Sequence, residues 1–330
     1  MLTPPSWLSE EKLVRALIGS WGLDVASIEY RAVGFGSHHW VAVEPNGALW
    51  FVSVDDLDSK RQATFEAGDA AFGRLRAALA TARDLRDSGL SFVVAPVLTH
   101  AGESLVRLNS QFAAALYPYV AGESYTWAAA QTPAQQHDLL NLIVKVHAAS
   151  PVATRQAASD DFAVPQRNHL DSAFDRAAIR SGGGPYTRQT GALLAENVST
   201  IRRLLVCYDD LVEEFRRRPT TMVLTHGEPH PGNTMLTAEG LVLIDWDTVL
   251  LAPPERDLWI LDRGDGSVVG DYAEATGTTP RPSLLDLYRI RWDLADLAAY
   301  AGRFRRPHSG TQDDDQSWEE LNSLVGRLPT

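Results

Sequence analysis

Thr225–Asn233, THGEPHPGN, and Leu241–Trp259, LVLIDWDTVLLAPPERDLW, decide how this chain is read. They set out His226, Glu228, Asn233 and Asp245 along a loop, a strand, a turn and a second strand. An acid, an amide and another acid in that order suit metal-assisted phosphoryl transfer, which asks a protein for positioning and charge neutralisation rather than covalent chemistry. Glu228 could accept the proton of an attacking hydroxyl. The Asn233 amide oxygen and Asp245 could share one Mg²⁺, a hard cation that takes oxygen ligands and bridges phosphates. Taken singly, the first segment reads as a turn and Asp245 as a strand cap; together, in this order and spacing, they favour a site.

The two histidines stand four residues apart, but Pro229, Pro231 and Gly232 forbid the regular helix that a two-histidine zinc motif needs. His226 and His230 are therefore grouped with Glu228 as candidate catalytic-loop residues: His226 as a brace, His230 as a second brace or a substrate-side contact. Asp247 could contact substrate or support its neighbours. Glu255, Arg256 and Asp257 read as an internal ion pair holding the catalytic loop.

Working outward, the 330 residues suffice for two lobes with a substantial core. Hydrophobic content of 45% and charged content of 22% are those of a globular domain. The net charge of −12 argues against a nucleic-acid partner, which needs a basic face, and is compatible with a cationic one. No apolar run approaches the roughly 20 residues of a membrane span, and no secretory signal is evident. The one cysteine, Cys207, fits a reducing, cytoplasmic setting and is expected as a buried structural thiol.

Before residue 120 the pattern predicts a small, mainly antiparallel lobe: a helix after Ser9, three strands over 28–56, an Ala-rich helix closed by Gly89, and further strands from FVVAPVLT and SLVRLNSQFAAALYPYV. From 121 to 330 it predicts a larger, mainly helical lobe, in which PAQQHDLLNLIVKVHAAS presents Leu139, Leu140, Ile143, Val146 and His147 on one face. Asp313, Asp314 and Asp315 read as a solvated loop. The fold class expected is α+β and bilobal.

HGEPHPGN and LIDWD resemble the HGDxHxxN loop and metal-binding strand of the aminoglycoside phosphotransferase family, whose fold is like that of protein kinases. The likeness extends to the RDSG turn at Arg86–Gly89, the YPYV connection at Tyr117–Val120 and the helix LYRIRWDLADLAAY. It implies ATP or GTP as phosphate donor and Mg²⁺ as cofactor. Tyr117, Pro118, Tyr119 and Val120 would meet the purine, and Gly34, Phe35, Gly36 and Ser37 would cover the phosphates. The acceptor implied is a small, cationic molecule with a hydroxyl, with an aminocyclitol or aminoglycoside antibiotic such as spectinomycin first. A kinase of another metabolite or a catalytically impaired binding protein is the alternative.

The chain departs from the family pattern in three places. Glu228 replaces the catalytic Asp, and a misplacement of about 1 Å can cost roughly 100-fold in rate. The third-strand lysine that grips the phosphates falls at Ser53, in a chain with only the lysines Lys12, Lys60 and Lys145. Arg76 falls where the lysine's Glu partner is expected, with Glu66 the less favoured counterpart. Two readings stay open: Arg76 supplies the missing cation from its helix, or the nucleotide grip has decayed. The surviving Asn233–Asp245 pair favours the first.

Overall fold

The computed structural model describes residues 1–330 apart from 6, 35, 64, 128, 174–182 and 330. Helix α1, Glu10–Trp21, starts where the Ser9 hydroxyl accepts from Lys12 N–H and stops at Gly22, whose φ of 73° closes the last turn. Strands β1 (Ser27–Arg31), β2 (Ser37–Val43) and β3 (Leu49–Asp56) form an antiparallel meander. Helix α2, Gly68–Asp87, follows, then β4 (Val106–Arg107) and β5 (Phe112–Pro118), giving a sheet in the order β1-β2-β3-β5-β4.

Strand alternation divides that sheet into two working faces. Trp40, Val52, Val54 and Leu116 pack on Leu13, Leu17 and Trp21 of α1. Ala113 and Ala115 pack on Leu75 and Leu79 of α2. Further along, α2 inserts Ala78, Ala82 and Leu85 into a second core, beside Leu243 and Trp246. This one helix therefore fixes how the sheet faces the segment from Thr225 to Asp247.

The remaining chain supplies β6 (Glu123–Ser124), then α3 (Pro133–His147), α4 (Asn168–Ala173), α5 (Thr187–Glu196) and α6 (Val198–Arg217). Next come β7 (Val223–Thr225), β8 (Thr234–Thr237), β9 (Gly240–Leu243) and β10 (Leu250–Ala252). Helices α7 (Glu255–Leu261), α8 (Ser267–Thr276), α9 (Pro282–Arg305) and α10 (Gln312–Arg327) complete it. Helix α3 begins with a reciprocal Thr132–Gln135 capping box and buries all five residues of the expected face. The fold is the expected α+β arrangement of an antiparallel sheet followed by a helical region. No helix among the described residues is long and apolar enough to cross a membrane.

Several local expectations need correction. FVVAPVLT is not a strand: Val93 makes one isolated bridge to Leu243, Val97 N–H donates to Leu116 O, and Pro96 has no N–H for a ladder. Asp313, Asp314 and Asp315 open α10 rather than forming a solvated loop. Asp314 completes a capping box with Thr311, while Asp313 is buried and accepts from Leu2 N–H, Thr3 N–H and the Thr3 hydroxyl. Cys207 lies on the exposed side of α6, not in its core.

Candidate active site

The loop between β7 and β8 is held by its own main chain. Asp257, at the start of α7, is completely buried and accepts from His226 N–H at 2.8 Å and Gly227 N–H at 2.6 Å. His147 of α3 donates Nε2–H to the same carboxylate at 3.1 Å, and its Nδ1 meets the Tyr272 hydroxyl at 2.9 Å. Burial alone would raise the Asp257 pKa, but the hydrogen bond and charge of His147 and the charge of Arg256 pull it below the usual value. The expected ion pair within Glu255–Asp257 is not what holds the loop. Arg256 donates to the Thr225 hydroxyl and Thr248 O, Glu255 accepts from Arg281 N–H, and only Asp257 grips the loop, through backbone amides.

Gly227 is required here by both backbone and space. Its φ is 101°, and a Cβ would stand 2.4 Å from the Arg256 guanidinium. Next to it, His226 receives Glu228 N–H on Nδ1 at 3.2 Å and donates Nε2–H to Ile244 O at 3.0 Å. Both ring nitrogens are thereby committed and the tautomer is set. His226 is a brace between loop and hairpin, as its sequence position suggests, and has no nitrogen left for substrate. His230 packs on Trp127 with ring centroids 3.8 Å apart, and its buried Nδ1 has no hydrogen-bond partner among the described residues. Burial holds its pKa down at about 3, so the ring is neutral.

Asn233 and Asp245 close the two ends of the β8–β9 hairpin. Thr234 pairs with Leu243, and Ile244 N–H donates to Asn233 O at 3.0 Å, so the residues on either side of that pairing are neighbours. Asn233 donates Nδ2–H to Glu228 O at 3.0 Å, leaving its carbonyl oxygen available. Asp245 has φ of 64°, a left-handed conformation that Asp tolerates better than most residues. Between the two acids, Trp246 is buried in the core and donates to Leu243 O. Burying Trp246 leaves both neighbours outside the core, Asp245 exposed and Asp247 at the wall of a cavity.

No group of three or more His, Cys, Asp or Glu suited to a metal occurs among the described residues. An amide oxygen and a carboxylate instead fit Mg²⁺, which takes few protein ligands and fills the rest from water and phosphate. Surrounding walls, then the charges of Asp247 and Glu228, push the Asp245 pKa well up. Asp247 would rise through burial too, but the charge and hydrogen bond of Lys60 carry it below its ordinary value.

Lys60, in the turn after β3, is the residue that the sequence pattern did not single out. Its ammonium contacts Asp247 directly and lies 3.2 Å from Asp55, which also accepts from the Ser37 hydroxyl at 2.7 Å. A chain of contacts thus runs from Ser37, beside the Gly34–Gly36 turn, to the acids after β9. Gly34 and Gly36 both have positive φ, 69° and 89°, while Phe35 lies outside the described residues. Tyr117 is opposite Phe51 in the sheet register; Pro118 and Tyr119 are exposed and Val120 half-buried.

Arg76 corrects a second expectation. It is exposed on α2, because Leu75, Ala78 and Leu79 take the buried positions around it. Glu66 pairs with Arg74, two residues earlier, instead of with a strand lysine. No local pattern around position 60 pointed to these contacts; the sequence offered only that Lys60 is one of three lysines.

A cavity of about 330 Å³ opens over these groups, lined by Lys60, Glu228, Asp247, Trp259, Trp292 and Asp296 among others. Burial, then the charge of Asp247, pushes Glu228 up to about 7. Asp296 is likewise pushed to about 7 by burial and then by Glu228 and Asp293. Trp127 and Trp292 stack at 5.2 Å, and Trp259 follows at 5.6 Å. Four other acids of the helical region have partners elsewhere: Asp262 faces Arg289, Asp271 faces His137, Asp293 faces Arg327, and Asp265 accepts from the Ser267 hydroxyl.

The family model described as APH, phosphotransferase enzyme family, matches residues 51–302. The chain belongs to this family. Protein StrN of Streptomyces griseus is 35% identical over 293 residues, covering 84% of this chain and 81% of that protein. Spectinomycin phosphotransferase APH(9)-Ia, solved with ADP and spectinomycin, superposes with a TM-score of 0.70 at 19% identity, covering 96% of each chain. Choline kinase LicA from Streptococcus pneumoniae superposes with a TM-score of 0.53 at 12% identity, over 96% of this chain and 98% of that one. These two share the kinase-like fold.

Proposed function

We propose that this phosphotransferase moves the γ-phosphoryl group of ATP or GTP to a hydroxyl of a cationic small molecule, an aminocyclitol such as spectinomycin being the first candidate. The observation that carries this reading is one cavity in which Glu228 and Asp296 sit beside the tryptophans Trp259 and Trp292. Carboxylates and indole faces are what an ammonium-bearing acceptor binds, and Glu228 is where its hydroxyl would be deprotonated.

In the reaction proposed, the acceptor oxygen forms a bond to the γ-phosphorus, its proton passes to Glu228, and the nucleoside diphosphate leaves with the electron pair of the broken P–O bond. Asn233 Oδ1 and Asp245 would hold Mg²⁺, which supplies charge neutralisation at the phosphates when bound. His226 fixes the height of the Glu228 backbone above the hairpin. Pro118 has no N–H, so the purine would take its main-chain donor from Tyr119 or Val120. We place the division between a nucleotide lobe, 1–120, and a catalytic and acceptor lobe, 121–330, at that connection, and the enzyme in the cytoplasm.

The test is phosphate transfer from ATP or GTP with Mg²⁺ to a panel of aminocyclitols, aminoglycosides and simple amino alcohols. Transfer should require an amine in the acceptor, and kcat/KM for it should rise with pH through about 7 as Glu228 ionises. Nucleotide binding with no transfer to any acceptor would instead support a kinase-like binding protein. Absence of nucleotide binding would end the kinase reading altogether.

A further inference from the structure

We propose that Lys60 is the residue that holds the nucleotide's phosphates, taking over from the loop the task that Ser53 leaves undone on the strand. The proposal rests on the phosphotransferase reading above and concerns which group of this chain does the gripping. Ser53 shares a face with Phe51 and Asp55, opposite His39 on one side and Ala115 on the other. His39 covers this region, its ring stacked on Phe51 at 5.0 Å. Burial holds His39 neutral, with a pKa down at about 3, so it brings an N–H to the site but no charge.

A cation must then come from elsewhere, and five line the cavity: Lys60, Arg61, Arg74, Arg256 and Arg291. Four are engaged away from the catalytic acids. Arg61 pairs with Asp58, Arg74 with Glu66 and Lys60 O, Arg256 with Thr225 and Thr248 O, and Arg291 with the buried Asp160. Lys60 alone among these five pairs with Asp247 of the cavity wall and with the buried Asp55 of β3. Asp55 is two residues beyond Ser53 on the same face, roughly 7 Å along the strand. The turn therefore returns the Lys60 ammonium to within one strand repeat of the vacant lysine position. Its flexible four-carbon stem lets the ammonium exchange a carboxylate for a phosphate oxygen without moving the sheet.

The position also suits the entry of phosphates. Ser37, at the end of the glycine turn, donates to Asp55, and Asp55 faces Lys60. Phosphates entering beneath that turn would meet a cation held between Asp55 and Asp247. An ammonium there neutralises charge on both sides of the cleft.

The experiment is calorimetric titration of ADP, GDP and their nucleosides, without divalent cation, into the intact protein and its variants. Lys60→Ala should weaken the preferred diphosphate roughly 10- to 100-fold, the range of a charged hydrogen bond, and leave its nucleoside unchanged. Lys60→Arg should retain most of the affinity, and Ser53→Lys combined with Lys60→Ala should recover about 10-fold of the loss. Recovery from the strand is not expected if Lys60 merely supports Asp247. Diphosphate affinity unchanged in a folded Lys60→Ala, or equal losses for nucleoside and diphosphate, would overturn the proposal while leaving the phosphotransferase reading intact. Failure of the wild type to bind either diphosphate, both without and with Mg²⁺, would overturn both.

Discussion

The loop and hairpin from Thr225 to Asp257 and the β2–β3 face of the sheet meet across one cleft, yet they are built in different ways. In the first, function-bearing side chains are fixed by main-chain partners: Asp257 to two amides, His226 to Glu228 N–H and Ile244 O, Asn233 to Glu228 O. In the second, side chains meet side chains, in the run Ser37–Asp55–Lys60–Asp247. A group that binds backbone is tied to one position in the chain. A charge that must only reach a phosphate can be delivered from several positions, and as proposed above it comes from a turn instead of a strand. That difference is consistent with a hairpin that carries the proposed metal pair Asn233 and Asp245 opposite a strand that has Ser53 instead of a lysine.

The strongest way to break the comparison is Asp245→Asn. Loss of the carboxylate from the proposed metal site should lower kcat roughly 100- to 1000-fold, in the range seen when preorganised transition-state stabilisation is removed. Steady-state assays at saturating Mg²⁺ would check this, and an unaltered rate would remove Asp245 from the metal site.

Asp257→Ala tests the locked side and should be read in stability. Leaving two amides and His147 without their buried acceptor should cost about 3 kcal/mol or more in urea unfolding. The pH dependence has a defined sign. The folded pKa of Asp257 lies below its ordinary value, so its contribution is complete above about pH 5, beyond the unfolded value of about 3.9. It disappears as pH falls through the lower, folded value, so the gap between wild type and variant should close only in acid. A gap that closed near neutrality would contradict this assignment.

The smallest effect is expected from Arg76→Ala. With its side chain outside the cleft, stability should change by no more than about 0.5 kcal/mol and nucleotide affinity should not change. A tenfold loss of affinity would return Arg76 to the phosphate site and remove the contrast between a delivered and a fixed cation.

Much of the architecture was legible from periodicity. The buried face of α3, the Ser9 cap, the glycine that ends α2 and the β2–β3 meander all follow from local spacing, which is dictated by backbone geometry. FVVAPVLT misled because an apolar run records burial without saying whether its amides are paired, and Pro96 denies the ladder one of them. Asp313 and Asp314 misled because a run of acids in solvent and a run that caps a helix share one composition. The assignment of Arg76 failed for a related reason: counting along a helix gives its position relative to a strand only if the loop between them is known.

By itself the sequence determined the chemistry on offer: prolines and a glycine that forbid a regular helix between His226 and Asn233, an amide and a carboxylate separated by one hairpin, and a chain with few lysines. These are set by neighbours close in the chain, so spacing reveals them. The tertiary structure alone decided that Asp257 grips the loop through two amides from 30 residues away and that Lys60, in the turn after β3, faces Asp247 after β9. Such pairings depend on how α2 seats the sheet over the hairpin, a long-range packing that no local pattern encodes.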